Sequence, residues 1–275
     1  MAGLSTQSVR PSTPQTQARH CPCCGSERAE GLTKYSPTPW EITRCTDCNF
    51  TYLRNPVDYQ MLEENLAWEK TYVAKSKAGG STRLSGRIRK LRAKTIGIHR
   101  DKSASYRKWF KDGHVLDVGC GSGIRLAAPL TPYGIEISTA LHAQADDHMR
   151  ARGGYCLKGP GAEVIWEFDA EKFDGIVMFS YLEHETDVMK VLRGAHRALK
   201  RDGAIFVRVP NFGSLNRRVI GAKWCGFRYP DHVNYFTLPT LRAIAARVGF
   251  EVALVNRLTL PVDDNISVVL RKSAA

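Results

Sequence analysis

The stretch "HVLDVGCGSGIRLA", residues 114–127, decides the fold of this chain. A short apolar run ends in Asp117, and Gly119, Gly121 and Gly123 follow at every second position. A glycine-rich turn after such a run is typical of a nucleotide-binding α/β domain, because glycines let the backbone approach a ligand closely. The spacing differs from the dinucleotide-binding pattern G-x-G-x-x-G, since the third glycine comes one position early.

The rest of the chain after residue 112 alternates between predicted strands and helices. The predicted strands are "HVLDVGC", "YGIEI", "YCL", "FDGIVMFS", "AIFVRVP", "EVALVNRL" and "ISVVLRK". The predicted helices are "SGIRLAAPL", "STALHAQADDHMRARG" with a Ser cap, "TDVMKVLRGAHRALKRDG" closed by Gly203, and "TLPTLRAIAARVGF". This alternation predicts a Rossmann-like, mostly parallel sheet with helices on both faces. Ligands of such sheets bind beyond the carboxyl ends of the strands, so the glycine turn is the predicted site.

A second acidic residue supports a nucleoside ligand. Glu136 ends the predicted strand that follows the glycine turn. A carboxylate at this place can accept hydrogen bonds from both hydroxyls of a ribose. The two features predict an adenosine ligand with a free ribose diol, and they leave NAD and S-adenosylmethionine open.

Two cysteine pairs near the N-terminus predict a metal site. Each pair has the form C-x-x-C, and 20 residues separate the pairs. The four predicted ligands are Cys21, Cys24, Cys45 and Cys48. This spacing is typical of structural zinc, since four thiolates leave no open position for water. Gly25 and Asn49 suit the left-handed turn after each pair, while Cys23 and His20 are not preferred as ligands.

Charge and composition divide the chain further. The 275 residues carry a formal net charge of +13, and residues 75–111 hold 13 basic residues against one acidic residue. We predict a disordered tail over 1–19, a zinc ribbon over 20–56, a helical basic linker over 57–111 and the ligand-binding domain over 112–275. No apolar stretch reaches the roughly 18–20 residues of a membrane span, and no signal peptide is visible, so we expect a cytoplasmic protein.

Four motifs resemble a known enzyme superfamily. The segments "VLDVGCGSG", "GIEIS", "FDGIVMFSYLEH" and "LKRDGAIFVRVPN" look like successive motifs of class I S-adenosylmethionine-dependent methyltransferases. The segment "YPDHVNYFTLPTLRAIAARVGFE" is similar to a bacterial subgroup that includes ubiquinone-pathway O-methyltransferases. The front "CPCCGS…RCTDCNFTYLRNP" with "WEKTY" resembles a zinc-binding front that nucleotide-sugar C-methyltransferases also carry. The resemblance implies S-adenosylmethionine as cofactor and a seven-stranded sheet whose last strand is antiparallel.

The resemblance also implies site residues. The cofactor-binding residues it implies are Asp117, Gly119, Gly121, Gly123, Glu136, Phe179 and Ser180. We expect the glycines to admit the methionine part, whose carboxylate the following helix N-terminus favours, and Glu136 to hold the ribose. His232 and His184 are candidate general bases, because a histidine beside a carboxylate suits proton removal near neutral pH. The alternative for each is a structural hydrogen bond to a loop carbonyl. Tyr229 and Asp231 complete a "Y-x-D-H" motif similar to the Tyr/acid/His cluster of sugar C-methyltransferases.

The acceptor is predicted to be a small molecule or a glycan, methylated on oxygen or carbon. Residues 190–228 contain ten basic residues and one acidic residue, which favours an acceptor bearing phosphate or carboxylate. One alternative is an RNA methyltransferase that grips the phosphate backbone with the ribbon and the basic segment. The "FSYLEH" segment, in place of an Asn-Pro-Pro-Tyr type, disfavours that alternative. A second alternative is a non-catalytic binding module, against which the glycine turn and Glu136 argue.

Overall fold

The computed structural model describes residues 16–57, 106 and 108–274. The strands of this part are β1 (Ala29–Gly31), β2 (Ile42–Cys45), β3 (Thr51–Leu53), β4 (His114–Val118), β5 (Thr131–Glu136), β6 (Cys156–Lys158), β7 (Phe173–Phe179), β8 (Leu199–Pro210), β9 (Asn234–Tyr235), β10 (Phe250–Leu254) and β11 (Asn265–Lys272). The α-helices are α1 (Thr139–Arg150), α2 (Gly161–Val164), α3 (Val188–Ala198), α4 (Leu215–Ile220) and α5 (Leu238–Arg247).

A seven-stranded sheet organises the larger part of the molecule. Its strand order is β10-β11-β8-β7-β4-β5-β6. Strands β6, β5, β4, β7 and β8 run parallel, and β11 is antiparallel to both of its neighbours. The predicted mostly parallel sheet with an antiparallel last strand is therefore confirmed. The chain leaves β4 toward β5 on one side and returns to β7 on the other, which places the topological switch at the end of β4.

The segment after the glycine turn corrects the sequence analysis. The predicted helix "SGIRLAAPL" is wrong, because residues 121–130 form a succession of turns. Gly121 and Gly123 have φ values of +59° and +78°, in which a right-handed helix cannot start. Arg152 then fixes the loop by donating to the carbonyls of Leu126 and Leu130, the latter at 2.6 Å. No helix N-terminus therefore faces the predicted methionine carboxylate at this turn.

Local signals place the other helices. The hydroxyl of Ser138 accepts a hydrogen bond from the backbone N–H of Leu141 at 3.3 Å, which confirms the predicted cap of α1. Helix α3 ends at Ala198 and not at Gly203, because Leu199 has extended φ and ψ and already pairs with β7. Pairing with a buried strand thus overrides the glycine stop signal.

The cysteine-bearing front shares a sheet with the larger part. The order of this second sheet is β1-β2-β3-β9, and β9 comes from the C-terminal half of the chain. Side chains of both parts, such as Phe50 and Phe236 with ring centroids 5.3 Å apart, pack in one core. The predicted ribbon over 20–56 is therefore joined to the larger part by strand pairing and by packing.

Arg19 ties the front to two segments of the larger part. Its guanidinium donates to the carbonyls of Leu53 at 3.0 Å, Thr186 at 2.8 Å and Val233 at 2.6 Å. The predicted disordered tail over 1–19 is thus too long by at least residues 16–19, while residues 1–15 lie outside the described residues. The predicted helical linker over 57–111 also lies outside them, except for residues 57, 106 and 108–111. Across the described ranges, no helix combines the length and the apolar character that crossing a bilayer requires.

Candidate active site and cysteine cluster

A cavity of about 560 Å³ lies beyond the carboxyl ends of β4, β5 and β7. Gly119, Gly121 and Glu136 line one part of its wall, and Glu183 and His232 line another. The glycine turn follows β4 and Glu183 follows the neighbouring strand β7, while His232 lies in the segment that precedes β9. The predicted ligand turn and the predicted acid/base residues therefore face one space.

The three glycines of the turn have different surroundings. All three have positive φ, and a Cβ on Gly119 would lie 2.8 Å from the ring of Tyr181. A Cβ on Gly121 would meet nothing within 4 Å, so the bare backbone there opens toward the cavity. Gly123 does not line the cavity, because it packs against α1, where a Cβ would lie 3.0 Å from Cα of Ala145. Its contact with the cofactor stays a prediction.

Glu136 is fixed at the rim of the same cavity. Its Oε2 accepts from the backbone N–H of Gly121 at 2.8 Å, and its Oε1 accepts from that of Ser138 at 2.9 Å. The side chain is buried, with 8% of its surface exposed. An ionised carboxylate has about four lone-pair positions, so two hydroxyl groups can bind while both backbone bonds persist.

Asp117 acts on the cavity through another side chain. Its Oδ2 accepts from Nε of Arg125 at 2.9 Å, and Asp117 is not among the residues that line the cavity. Burial raises the pKa of Asp117 to about 6, against the opposing charge of Arg125. Arg125 reaches the cavity and places its guanidinium 4.5 Å from the ring centroid of Phe179. Sequence reasoning missed Arg125, although it belongs to the opening stretch.

Phe179 is the last residue of β7, Ser180 follows it, and both line the cavity. The ring of Phe179 lies between the guanidinium groups of Arg125 and Arg208, at 4.5 and 4.8 Å. Ser180 has a φ of +53°, an uncommon value for a residue with a side chain. Its backbone N–H donates to the carbonyl of Arg208 at 2.9 Å, which holds the end of the strand in this conformation.

The two predicted base histidines lie side by side. Nδ1 of His184 is 2.8 Å from the carbonyl of Asp231, and Nδ1 of His232 is 2.8 Å from the carbonyl of Gly226. A carbonyl only accepts, so Nδ1 carries the proton in each ring and Nε2 is the basic nitrogen. The ring centroids are 4.7 Å apart at an angle of 85°. Burial lowers the pKa of His184 to about 4, which keeps this ring neutral at pH 7.

Glu183 joins the histidines and was missed in the sequence. Its carboxylate is 1% exposed, and within the described residues its Oε2 has no hydrogen-bond partner. Burial raises the pKa of Glu183 to about 8, while Arg208 and Arg228 act in the opposite direction. Carboxylate and imidazole atoms of Glu183, His184 and His232 lie within 4.8 Å of one another, a spacing that a divalent ion can use. The positive charge of the two arginines disfavours a cation there.

Asp231 and Tyr229 occupy different places. Asp231 lines the cavity, and its carboxylate lies 3.6 Å from the guanidinium of Arg228. Tyr229 does not line the cavity, because its hydroxyl donates to the carbonyl of Tyr35 in the cysteine-bearing front. Burial also raises the pKa of Tyr229 to about 12. Tyr229 therefore takes part in the contact between the two parts, and its catalytic role stays a prediction.

The four predicted metal-binding cysteines form one cluster. The Sγ atoms of Cys21 and Cys48 are 3.5 Å apart, and those of Cys24 and Cys45 are 3.6 Å apart. All four sulfur atoms lie within 4.8 Å of one another. A tetrahedral zinc site with Zn–S bonds of about 2.3 Å separates its sulfurs by about 3.8 Å, so the cluster fits zinc with small adjustments.

The turns around the cluster agree with the sequence analysis. Gly25 has a φ of +76° and Asn49 has a φ of +58°, which confirms the predicted left-handed position after each pair. Cys23 is buried nearby but is not part of the four-cysteine cluster. His20 lies 3.7 Å from Glu27 in an exposed pair, outside the cluster.

Comparison with known proteins identifies the family. A family model described as a methyltransferase domain matches residues 85–255, more than half of the chain. The ubiquinone biosynthesis O-methyltransferase of Pseudomonas syringae pv. tomato is 34% identical over 122 residues, covering 40% of this chain and 50% of that protein. The protein of the same name from Pseudomonas fluorescens is 33% identical over 122 residues, with the same two coverages. The chain thus spans about half the length of the curated relatives it matches.

A solved structure shares the fold. A SAM-dependent methyltransferase from Archaeoglobus fulgidus aligns with 74% of this chain and 99% of its own, with a TM-score of 0.52 and 16% sequence identity. The chain therefore belongs to the methyltransferase-domain family, and the predicted class I S-adenosylmethionine-dependent methyltransferase is confirmed at the level of that family.

Proposed function

We propose that the chain transfers a methyl group from S-adenosylmethionine to an oxygen or carbon atom of an anionic small molecule or glycan. One observation carries this proposal: the glycine turn and Glu136 share a single cavity with a carboxylate, two imidazoles and a guanidinium. The first group suits a nucleoside with a free ribose diol, and the second suits an acceptor that has to be oriented and deprotonated. The Pseudomonas relatives are named as O-methyltransferases, which supports oxygen as the acceptor atom.

The cofactor end of the cavity suits S-adenosylmethionine. The open backbone at Gly121 admits the methionine part, and Glu136 accepts the ribose hydroxyls with its remaining lone pairs. We assign the adenine to the wall formed by Leu141 of α1 and by Pro160 and Gly161 at the start of α2. S-adenosylmethionine supplies an electrophilic methyl group on a sulfonium. The chain therefore has to hold the acceptor atom within roughly 3–3.5 Å of that carbon and keep water out.

The acceptor end provides charge and hydrogen bonds. Arg228 lines the cavity and suits a phosphate or carboxylate on the acceptor, and Asp231 orients its guanidinium. His232 and His184 stay our proposed contacts to the acceptor atom through Nε2. Of the basic residues noted in the sequence, Arg217 donates hydrogen bonds to the carbonyl of Phe212 and to the hydroxyl of Tyr35. We therefore do not assign it to the acceptor.

We also propose that the cysteine cluster holds one structural zinc ion. The sulfur spacing supports it, and so does the left-handed residue after each pair. Such a zinc would fix the front whose strand β3 pairs with β9. It would therefore act on the cavity through the segment that precedes β9 and through the contact between Arg19 and Thr186.

The proposal is tested with the full chain, labelled S-adenosylmethionine and a panel of hydroxybenzoates, sugar phosphates, glycans and RNA. We expect label transfer to at least one hydroxyl-bearing anion and none to RNA. Transfer to RNA alone, retained in a salt-dependent manner, would contradict the small-molecule proposal and favour the nucleic-acid alternative. Binding of the cofactor without transfer to any member of the panel would contradict the proposed class of acceptor.

A further inference from the structure

Two buried polar atoms in the wall of the cavity need a partner. Oε2 of Glu183 and Nε of Arg228 each have less than 1 Å² of exposed surface, and neither has a hydrogen-bond partner among the described residues. Both side chains line the cavity. Buried polar groups are nearly always paired in folded proteins, and these two atoms belong to residues that line one cavity. We therefore expect the two side chains to turn toward a ligand that offers one donor and one acceptor.

We propose that Glu183 and Arg228 are the pair that activates a hydroxyl acceptor, a role that rests on the proposed methyl transfer. The carboxylate of Glu183 takes the proton of the acceptor O–H, and Nε–H of Arg228 donates to the oxyanion that results. The new bond joins that oxygen to the methyl carbon, and the electron pair of the broken carbon–sulfur bond stays on sulfur. The proton then leaves Glu183 for solvent, which restores the carboxylate.

The surroundings of Glu183 suit this role better than those of the histidines. Arg208 and Arg228 are the positive groups that act on its carboxylate, and His184 and His232 are the imidazoles next to it. Burial raises the pKa of Glu183 to about 8. A general base is most effective when its pKa lies near the pH at which the enzyme operates. His184, with a pKa of about 4, is a weak base and is left to orient the acceptor.

The backbone around Glu183 holds its side chain in place. The carbonyl of Glu183 accepts from the N–H groups of Val233 at 2.7 Å and Asn234 at 3.1 Å. The side-chain amide of Asn234 donates to the carbonyls of Leu182 at 2.7 Å and Glu185 at 2.6 Å. The segment after β7 is therefore braced on both sides of Glu183, as a group that must meet a reacting atom requires.

The test compares Glu183→Gln, His232→Ala and, as a matched control, Glu251→Gln, an exposed carboxylate on β10. Methyl transfer is measured with a series of ring-substituted phenols, ending with 4-nitrophenol at a pH where it is ionised. We expect Glu183→Gln to lower turnover by roughly 10²–10⁴-fold for weakly acidic phenols and far less for 4-nitrophenol, whose proton is already gone. We expect a loss of about tenfold for His232→Ala. A wild-type rate in Glu183→Gln combined with a large loss in His232→Ala would overturn the assignment.

A binding measurement separates this inference from the proposed function. Bound 4-nitrophenol reports its ionisation by absorbance without any methyl transfer. We expect its pKa to fall on binding to the wild-type protein and to return to the free value in Arg228→Gln. An unchanged spectral titration in that variant would overturn the pairing even if transfer occurs. The wild-type protein could also bind one divalent metal ion in addition to the zinc at the four cysteines. Loss of that additional ion in Glu183→Gln would overturn the proposal, because it would show that Glu183, His184 and His232 form a metal site.

Discussion

Replacing Glu136 should weaken cofactor binding by an amount that the structure allows us to work out. The carboxylate already accepts two backbone N–H bonds, at 2.8 and 2.9 Å, and its remaining lone pairs face the cavity. A hydrogen bond to a charged group contributes about 1.5–3 kcal/mol. Loss of two such bonds to the ribose, partly replaced by water, predicts about 3 kcal/mol for Glu136→Ala. That corresponds to a roughly 100-fold higher Kd for S-adenosylmethionine.

Glu136→Gln refines this prediction. The glutamine keeps the size of the side chain, but its amide NH₂ has to face one of the two backbone N–H donors. We therefore expect a loss of similar size that is accompanied by a disturbed glycine turn. The assay is isothermal titration of S-adenosylmethionine and of its demethylated product into each variant, with Glu251→Gln as control and thermal unfolding as a check of folding. A folded Glu136→Ala protein that binds the cofactor with wild-type affinity would refute the reasoning.

Three further predictions concern the cluster, the buried acid and the contact between the two parts. Purified protein should contain one zinc per chain, and Cys48→Ser should lower both zinc content and Tm; metal analysis that finds no zinc under non-chelating conditions would refute the site. Because burial raises the pKa of Glu183 from about 4.5 to about 8, the fold has its full stability below pH 4.5 and loses stability as the pH rises through about 8. Glu183→Gln should therefore match the wild-type Tm near pH 4.5 and exceed it at pH 9, and equal Tm values at pH 9 would count against a buried, neutral carboxyl. Tyr229→Phe should keep turnover and cost about 1 kcal/mol of stability, the value of one hydrogen bond; a large loss of turnover would restore Tyr229 to the site.

Local patterns account for the parts of the site that the sequence could predict. The left-handed conformations at Gly121, Gly25 and Asn49 follow from residue type and spacing within a few positions. The place of Glu136 follows from the end of a strand beside the switch point. Each of these features depends on one strand and the turn after it, so no long-range contact had to be known.

The missed parts depend on contacts between distant segments. Glu183 meets Arg228 and His232 only because the backbone of the segment before β9 hydrogen-bonds to the segment after β7. Tyr229 lies in the same segment as His232 but bonds to Tyr35, nearly two hundred positions away in sequence. The wrong helix after Gly123 had a local cause, since the left-handed glycines and the bonds from the Arg152 side chain outweigh the helix propensity of the residues between them.

The most direct measurement of the central claim is a calorimetric titration of the wild-type chain with S-adenosylmethionine and, separately, with NAD. The glycine turn and Glu136 predict one S-adenosylmethionine site per chain with a Kd in the micromolar range, competed by the demethylated product. We expect no heat of binding for NAD, because the chain belongs to the methyltransferase-domain family and the glycine spacing departs from the dinucleotide-binding pattern. Binding of NAD together with no detectable binding of S-adenosylmethionine would contradict the account.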